Sequence, residues 1–513
     1  MKGDTQRMIN LDGNSLTVQD VVSVARDLDS VKLTKSALAS IHRSHENLRK
    51  ILSTGRPVYG INTGYGIFAD KIIEHDAIQK LNRNLILSHA VGVGPELDKD
   101  IVRGAMLIRA NALAKGLSGV RSEIVQTLLS MLNLNVTPCI PSQGSLGSSG
   151  DLCQLSHLAL VMSTDDKDLP EESGFAYFKD ERLIGKSAME KAGIKRLELY
   201  AKEGLAINNG ATFSTSLGCI SLFDAKYLIH IANLALSLSL EALLGCMDAF
   251  NPQIHQARNH PGQMRISDSV LKMVEGSNFI NTGNRVQDAY SLRCAPQVHG
   301  AVLETTEFVE ATLQREINAA TDNPLIFSEN LVLSGGNFHG EPIGLGMDYL
   351  GIAITELAAI SERRSFRMLD GNLNCGLPPM LVEENSHAGL NSGLMMPHYT
   401  AVSLVLENQT LATPDSIHSL PTSGNQEDHN ANSWTAARHA RQIINNALQV
   451  LAIEIFIAAR AIDLRRKNSS KKLGMGTKIA YELIRSEVPF IAEDTFWQPQ
   501  IETIVCMIND RKL

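Results

Sequence analysis

The chain is most quickly sorted by what it does not contain. None of its seven cysteines, at positions 139, 153, 219, 246, 294, 375 and 506, forms a CxxC pair. An odd, scattered set of this kind argues against a disulfide framework and reads as reduced cytosolic thiols. The start, MKGDTQRMINLDGNSL, has no apolar stretch of the signal-peptide type, so no leader is expected. Basic residues do not dominate. The 47 Lys and Arg against 55 Asp and Glu give a formal charge of −8, which argues against nucleic acid or an anionic membrane surface as partner. There is no HExxH or other zinc spacing, so no metal is expected, and no GxxxxGK phosphate loop or strand–GxGxxG–helix unit. Internal repeats and low-complexity linkers are missing too. The most apolar run, YLIHIANLALSLSLEALLGCM from Tyr227, carries His230, Asn233 and Glu241, so it reads as a buried helix and not as a membrane span.

What the sequence does have is helical periodicity. In TKSALASIHRSHENLRKILSTG, Leu38, Ile41, Leu48, Ile51 and Leu52 recur on one face, Thr34 is placed to cap the start, and Gly55 to stop the helix. Similar patterns cover DIVRGAMLIRANALAKG, SEIVQTLLSMLNL, EPIGLGMDYLGIAITELAAISERR, PHYTAVSLVLENQTLA and TAARHARQIINNALQVLAIEIFIAARAIDLR. The last is far longer than the usual helix of about 10–14 residues. Strand-like segments are few and short: RPVYGI, RLIG and PLIF. Residues 164–183 read as a charged, turn-rich surface excursion. Long helices with few polar interruptions must bury faces against one another, so a mainly α bundle is predicted. The expected division is an N-terminal portion, 1–205, with some α+β character, and a long-helix bundle, 206–513.

Function is better sought in the polar, glycine-bounded loops between helices, since loops on a rigid scaffold carry binding and catalysis. One of them, GSLGSSGDL, raises a chemical question. Asp151 at the helix entrance would repel an anion, which disfavours a phosphate cradle. Asp151 or Ser149 can cap the helix that begins near Leu152. A third reading uses the Ser148-Ser149-Gly150 backbone itself. Glycine has no side chain, so its amide nitrogen can reach the carbonyl two residues before it. Ring closure with loss of water gives an imidazolone, and loss of the serine hydroxyl as a second water leaves an electrophilic methylidene.

GSLGSSGDLCQLSHLAL resembles the signature of the histidine/phenylalanine ammonia-lyases, which build a 4-methylideneimidazol-5-one (MIO) group from an internal Ala-Ser-Gly. NTGYG, KEGLA, VQDAYSLRCAPQV, DNPLIF, SGGNFHGEP, ISERR, GLNSG and LPTSGNQEDH follow in the family's order, from about residue 8 to about 465. Ser148 stands where the family usually has Ala; its side chain lies outside the ring-forming backbone. The resemblance implies the ammonia-lyase type of long-helix bundle, a homotetramer whose active sites are each assembled from three subunits, a cytoplasmic setting, and MIO formed from residues 148–150 with no external cofactor.

It also implies roles. The substrate, a small amino acid, would add to the methylidene carbon through its amine, so that ammonia leaves as a better group. Tyr59 would be the general base for the β-proton, and since a tyrosine ordinarily titrates near about 10 it would need a cationic neighbour. Arg293 would clamp the substrate carboxylate, a task that suits a guanidinium. Asn209 and Gln287 match positions contacting ring and carboxylate, Tyr290 a second tyrosine, and Phe338 an aromatic packed near the ring. Asp151 follows the triad, where assisting cyclisation and capping account for it equally well.

Substrate choice rests on two positions. Ser88-His89 resembles the histidine-type pair, and Glu427 stands where phenylalanine- and tyrosine-type relatives generally have glutamine. A carboxylate accepts an imidazole N–H and would be left unpaired against a phenyl ring. The expected reaction is L-histidine to trans-urocanate and ammonia. Departures at Asp428-His429-Asn430-Ala431-Asn432 leave room for a modified imidazole substrate, and a tyrosine or phenylalanine lyase or a 2,3-aminomutase would share the ring. Further off stand a metal-dependent hydrolase, a fumarase/argininosuccinate-lyase type of elimination, whose Ser-Ser-loop signature has no counterpart after Ser149, and a non-catalytic helical scaffold.

Overall fold

The structure is a computed structural model that describes residues 7–383, 389–467 and 469–513. The chain forms two compact units. The first comprises residues up to Phe223, Val309–Asp348 and Pro414–Arg438; the second comprises Asp224–Phe308, Tyr349–Thr413 and the chain from His439 onward.

The first unit follows the sequence pattern closely. Thr34 caps the helix Lys35–Ser53 by accepting from the Ala37 amide at 3.1 Å. Its buried face is Ala37, Ile41, Ser44, Leu48 and Ile51, the alternating four-and-three spacing of one stripe. Gly55, at φ +67°, ends it in a conformation that costs glycine little. By contrast the helix Lys99–Ala114 is buried on all sides from Ile101 to Ala114, including Arg103, Arg109 and Asn111. RLIG and PLIF are strands, Glu181–Ile184 and Leu325–Ser328, each in an antiparallel hairpin.

RPVYGI is not a strand. Residues 58–61 form a turn in which the Val58 amide donates to Asn62 Oδ1 at 2.7 Å and the Ile61 amide to the Val58 carbonyl. Gly60 sits at φ +68°, and a Cβ there would lie 2.7 Å from the Leu205 side chain. Local turn chemistry overrides the β-branched pattern because the loop is pressed onto that neighbour.

The second unit is built on long helical segments. Glu454, within the helix Ser433–Arg466, is wholly buried and accepts from Ser239 Oγ at 2.7 Å, Ser361 Oγ at 2.6 Å, and Arg364 at 2.5 and 2.7 Å. One carboxylate therefore ties three helices, with both charges fully paired as burial demands. Two helices, Thr212–Ala242 and Glu341–Leu369, are long and apolar enough to cross a membrane. Their most apolar windows are 72% and 67% buried inside the protein, so they serve as core helices.

Candidate active site

The Ser148-Ser149-Gly150 segment lies in a loop held from several directions. Gly150 has φ +84°, and a Cβ there would fall 2.0 Å from the Gly210 nitrogen, so no other residue fits. The two backbones run as a short parallel bridge: the Asp151 amide donates to the Gly210 carbonyl at 2.9 Å and the Gly210 amide to the Ser149 carbonyl at 3.4 Å. Asn209 Nδ2 donates to the same Ser149 oxygen at 2.5 Å. Ser148 and Gly150 are buried, whereas Ser149 is half-buried, and its hydroxyl has no hydrogen-bond partner among the described residues.

These residues fit an MIO group. The ring would form between the Gly150 nitrogen and the Ser148 carbonyl carbon, where no side chain at Gly150 obstructs it. The Ser149 carbonyl, which would become the ring carbonyl, already has two donors aimed at it. Asn209 Oδ1 is buried with no partner, leaving one polar atom available beside the triad.

Asp151 does not cap its own helix, Leu152–Met162, which has no side-chain cap. Its wholly buried carboxylate accepts instead from Ser145 Oγ at 2.8 Å, Ser214 Oγ at 2.9 Å and the Ser214 amide at 2.8 Å, so it caps the neighbouring helix that starts at Thr212. Burial raises its pKa, with these hydrogen bonds opposing the rise.

The extra hydroxyl of Ser148 has a definite task. It accepts from the amide of Ala431 at 3.0 Å, joining the triad loop to the segment that carries Glu427. Ser148→Ala leaves that buried amide without an acceptor, so unfolding stability is expected to fall by about 1–3 kcal/mol. Denaturant titration checks this. Intact mass of the same variant is expected to keep the two-water deficit that an MIO group implies, because the ring would close on main-chain atoms and the second water would come from Ser149, not from the Ser148 side chain.

The other loops of the first unit interlock around this point. The Gly340 amide donates to the Gly147 carbonyl at 2.8 Å, which fixes the SGGNFHGEP loop and its half-buried Phe338. His339 and His429 stack at 6.0 Å, and His339 Nε2 lies 3.1 Å from the His429 carbonyl. Glu427 closes a small antiparallel bridge with Thr422, whose amide donates to the Glu427 carbonyl at 2.8 Å.

Glu427 acts on both Tyr59 and His89. Burial is the main influence raising the Tyr59 pKa; the Gly66 backbone opposes it and the Glu427 charge adds to it. Burial lowers the pKa of His89, while the Leu85 backbone and Glu427 pull it back. Base candidate, imidazole and carboxylate thus share one electrostatic neighbourhood. His89 ends the helix Ile78–His89, and its Nδ1 lies 2.9 Å from Ser88 Oγ.

Gln287, Tyr290 and Arg293 belong to the second unit. There Asp288 is buried and accepts from the Cys246 amide at 2.6 Å and from Arg285 Nε at 2.9 Å. That anchor leaves Gln287 exposed and Tyr290 70% exposed, with the Arg293 guanidinium 4.5 Å above the Tyr290 ring. Among the described residues no three His, Cys, Asp or Glu side chains converge as a metal would require. Arg109, Thr321 and Ser214 also bear on the triad loop, through hydrogen bonds with the Asn209 carbonyl, with Arg109 and with Asp151 respectively. Their only signal in the sequence is polar residues set inside apolar or capping stretches.

Residues 16–486 match the profile of a family described as aromatic amino acid lyase. The chain is 48% identical over 491 residues to a histidine ammonia-lyase of Caldanaerobacter subterraneus, covering 95% of this chain and 94% of that one. The crystal structure of a histidine ammonia-lyase from Trypanosoma cruzi matches with a TM-score of 0.88 at 36% identity, covering 98% of this chain and 94% of that one. The ergothioneine-degrading ergothionase of Treponema denticola matches with a TM-score of 0.91 at 30% identity, covering 98% and 99%.

Proposed function

The chain belongs to the aromatic amino acid lyase family, a carbon–nitrogen lyase by that membership, and on that premise we propose that it eliminates ammonia from L-histidine to give trans-urocanate. The observation that carries the specificity is Glu427, a carboxylate that acts electrostatically on both Tyr59 and His89. It gives an imidazole N–H an ionic acceptor, an interaction that a phenyl ring cannot make. The similarity to histidine ammonia-lyases over nearly the whole chain supports the same reading.

Ser148, Ser149 and Gly150 would hold MIO, which when formed supplies an electrophile able to accept electrons as ammonia departs. Around it the chain's own residues have separable tasks. Asn209 Nδ2 and the Gly210 amide meet the Ser149 carbonyl oxygen, where negative charge would gather, in the manner of an oxyanion hole. Tyr59 takes the β-proton in its deprotonated form. Phe338 shields the ring.

Gln287, Tyr290 and Arg293 orient the substrate carboxylate from a neighbouring subunit of a homotetramer, each site drawing on three subunits. The exposure of Tyr290 supports that arrangement. A cytoplasmic enzyme fits the seven unpaired thiols.

A second reading, a modified imidazole amino acid as substrate, is favoured by the likeness to ergothionase and by the residues that follow Glu427. Incubation with L-histidine separates the two: growth of urocanate absorbance with release of ammonia supports the first. Consumption of only a modified imidazole, tyrosine or phenylalanine contradicts it, as does a β-amino acid product. Glu427→Gln keeps a hydrogen bond but loses the charge, so KM for histidine is expected to rise about tenfold, the cost of replacing a charge-assisted hydrogen bond by a neutral one. Steady-state kinetics checks it.

A further inference from the structure

The peptide linking Asn209 to Gly210 points its N–H toward the Ser149 carbonyl and its own carbonyl the opposite way, into the protein. There it accepts from Nη1 of Arg109, whose Nη2 donates to Thr321 Oγ1 at 3.1 Å. Both side chains press directly against Gly210. With φ at +119°, a Cβ at that position would lie 2.6 Å from Thr321 Oγ1 and 2.9 Å from Arg109 Nη1. The peptide that carries one donor, and adjoins the Asn209 side chain that carries the other, is therefore clamped from behind.

Arg109 is an expensive residue to place there. It is wholly buried in the helix Lys99–Ala114, and its hydrogen bonds go to a carbonyl and a hydroxyl, not to a carboxylate. Burial depresses its pKa, and the charges of Asp322 and Glu316 work against that depression. Asp322 is itself paired with the buried Lys202 and accepts from Ser118 Oγ at 2.9 Å. Burial lifts the Glu316 carboxyl to about 7, with Arg109 opposing the rise. Packing alone would favour an apolar side chain at position 109, because a buried charge without a contacting counter-ion is destabilising.

The charge has a use through the peptide it touches. A hydrogen bond to an amide oxygen draws electron density from the amide nitrogen and makes its N–H a stronger donor. Arg109 holds the oxygen of the amide whose N–H faces Ser149. We propose that Arg109, oriented by Thr321, is a positioning residue that fixes and polarises the two donors on the Ser149 carbonyl, raising the rate of ammonia departure. The proposal rests on the lyase reading above and goes beyond it in assigning residues that touch neither substrate nor triad.

The test uses the full-length protein with Arg109→Lys, Arg109→Gln, Thr321→Val and Thr321→Ser. Three quantities are read: intact mass, the near-ultraviolet band of the ring, and kcat and KM with histidine. All four variants are expected to keep the two-water deficit. Both Arg109 variants should lose about tenfold to a hundredfold in kcat, below the loss for deleting a direct oxyanion donor, with KM changed less than about twofold. Their ring band should shift, because a carbonyl-conjugated chromophore responds to its hydrogen-bond donors. Thr321→Val should show a smaller loss and shift, and Thr321→Ser should restore wild-type values. An Arg109→Gln protein with the deficit, an unshifted band and wild-type kcat overturns the proposal alone. Loss of the deficit in Thr321→Val and both Arg109 variants also overturns it, since the pair would then serve only to build the ring. A wild-type chain without the deficit overturns this proposal and the lyase reading together.

Discussion

Ser149→Ala protein will have the mass its sequence dictates, without a deficit of two waters, and will form no detectable urocanate. The expected loss is at least on the order of a thousandfold, as for removal of a covalent catalyst. On the proposed chemistry Ser149 alone of the triad would supply both the hydroxyl to be lost and the Cβ that would become the methylidene. Its hydroxyl makes no hydrogen bond among the described residues, and its side chain is only half-buried. The fold should therefore not depend on it. Melting of the variant is expected to match the wild type within about 0.5 kcal/mol, the usual range for a surface substitution. Activity lost with stability kept separates chemistry from folding. A variant that retains turnover would contradict the role given to the triad.

Tyr59→Phe is expected to lower kcat by about 10²–10⁴, the usual contribution of a positioned general base. The pH dependence should carry the base's signature. Burial and the Glu427 charge both raise the Tyr59 pKa, and the Gly66 backbone offsets them only in part. As the proposed base, Tyr59 would work as the phenolate, so at any pH below that pKa only a fraction of the protein would be competent. The fraction grows tenfold per pH unit, and kcat/KM should climb with pH across the neutral range on a slope near one. Glu427→Gln removes one of the two influences that raise the pKa. Its alkaline limb should therefore begin at lower pH than in the wild type, even though histidine binds less tightly. A flat profile in the wild type, or a limb that moves upward in Glu427→Gln, would contradict the assignment of Tyr59.

The helices could be read from the sequence because each signal was local. Thr34 and Gly55 mark the two ends of Lys35–Ser53, and the apolar stripe between them is the face that is buried. The turn at Tyr59 could not be read so easily. Its β-branched neighbours favour a strand, and only contact of Gly60 with Leu205, far along the chain, decides otherwise. Asp151 shows the same limit. Its position announces a cap, but the helix it caps begins 61 residues later at Thr212, and sequence spacing does not say which amide a side chain will reach.

The triad and its neighbours were legible as a motif, whereas the support behind them was not. Arg109 sits in an apolar run that reads as core, and its partners Asn209 and Thr321 are 100 and 212 residues away. Burial of a charged group becomes visible only when the helix is packed. Gln287, Tyr290 and Arg293 are a further case. The sequence marks them by type, but their surroundings are not a local property: beside the buried Asp288, Gln287 and Tyr290 are left exposed.

The most direct measurement is the mass of the proteolytic peptide spanning residues 144–151 from protein shown to release ammonia. If that peptide is lighter than its sequence by two waters, with fragmentation placing both losses between Ser148 and Gly150, the backbone has made its own electrophile. A peptide of full mass from protein that still turns over would contradict the account at its root.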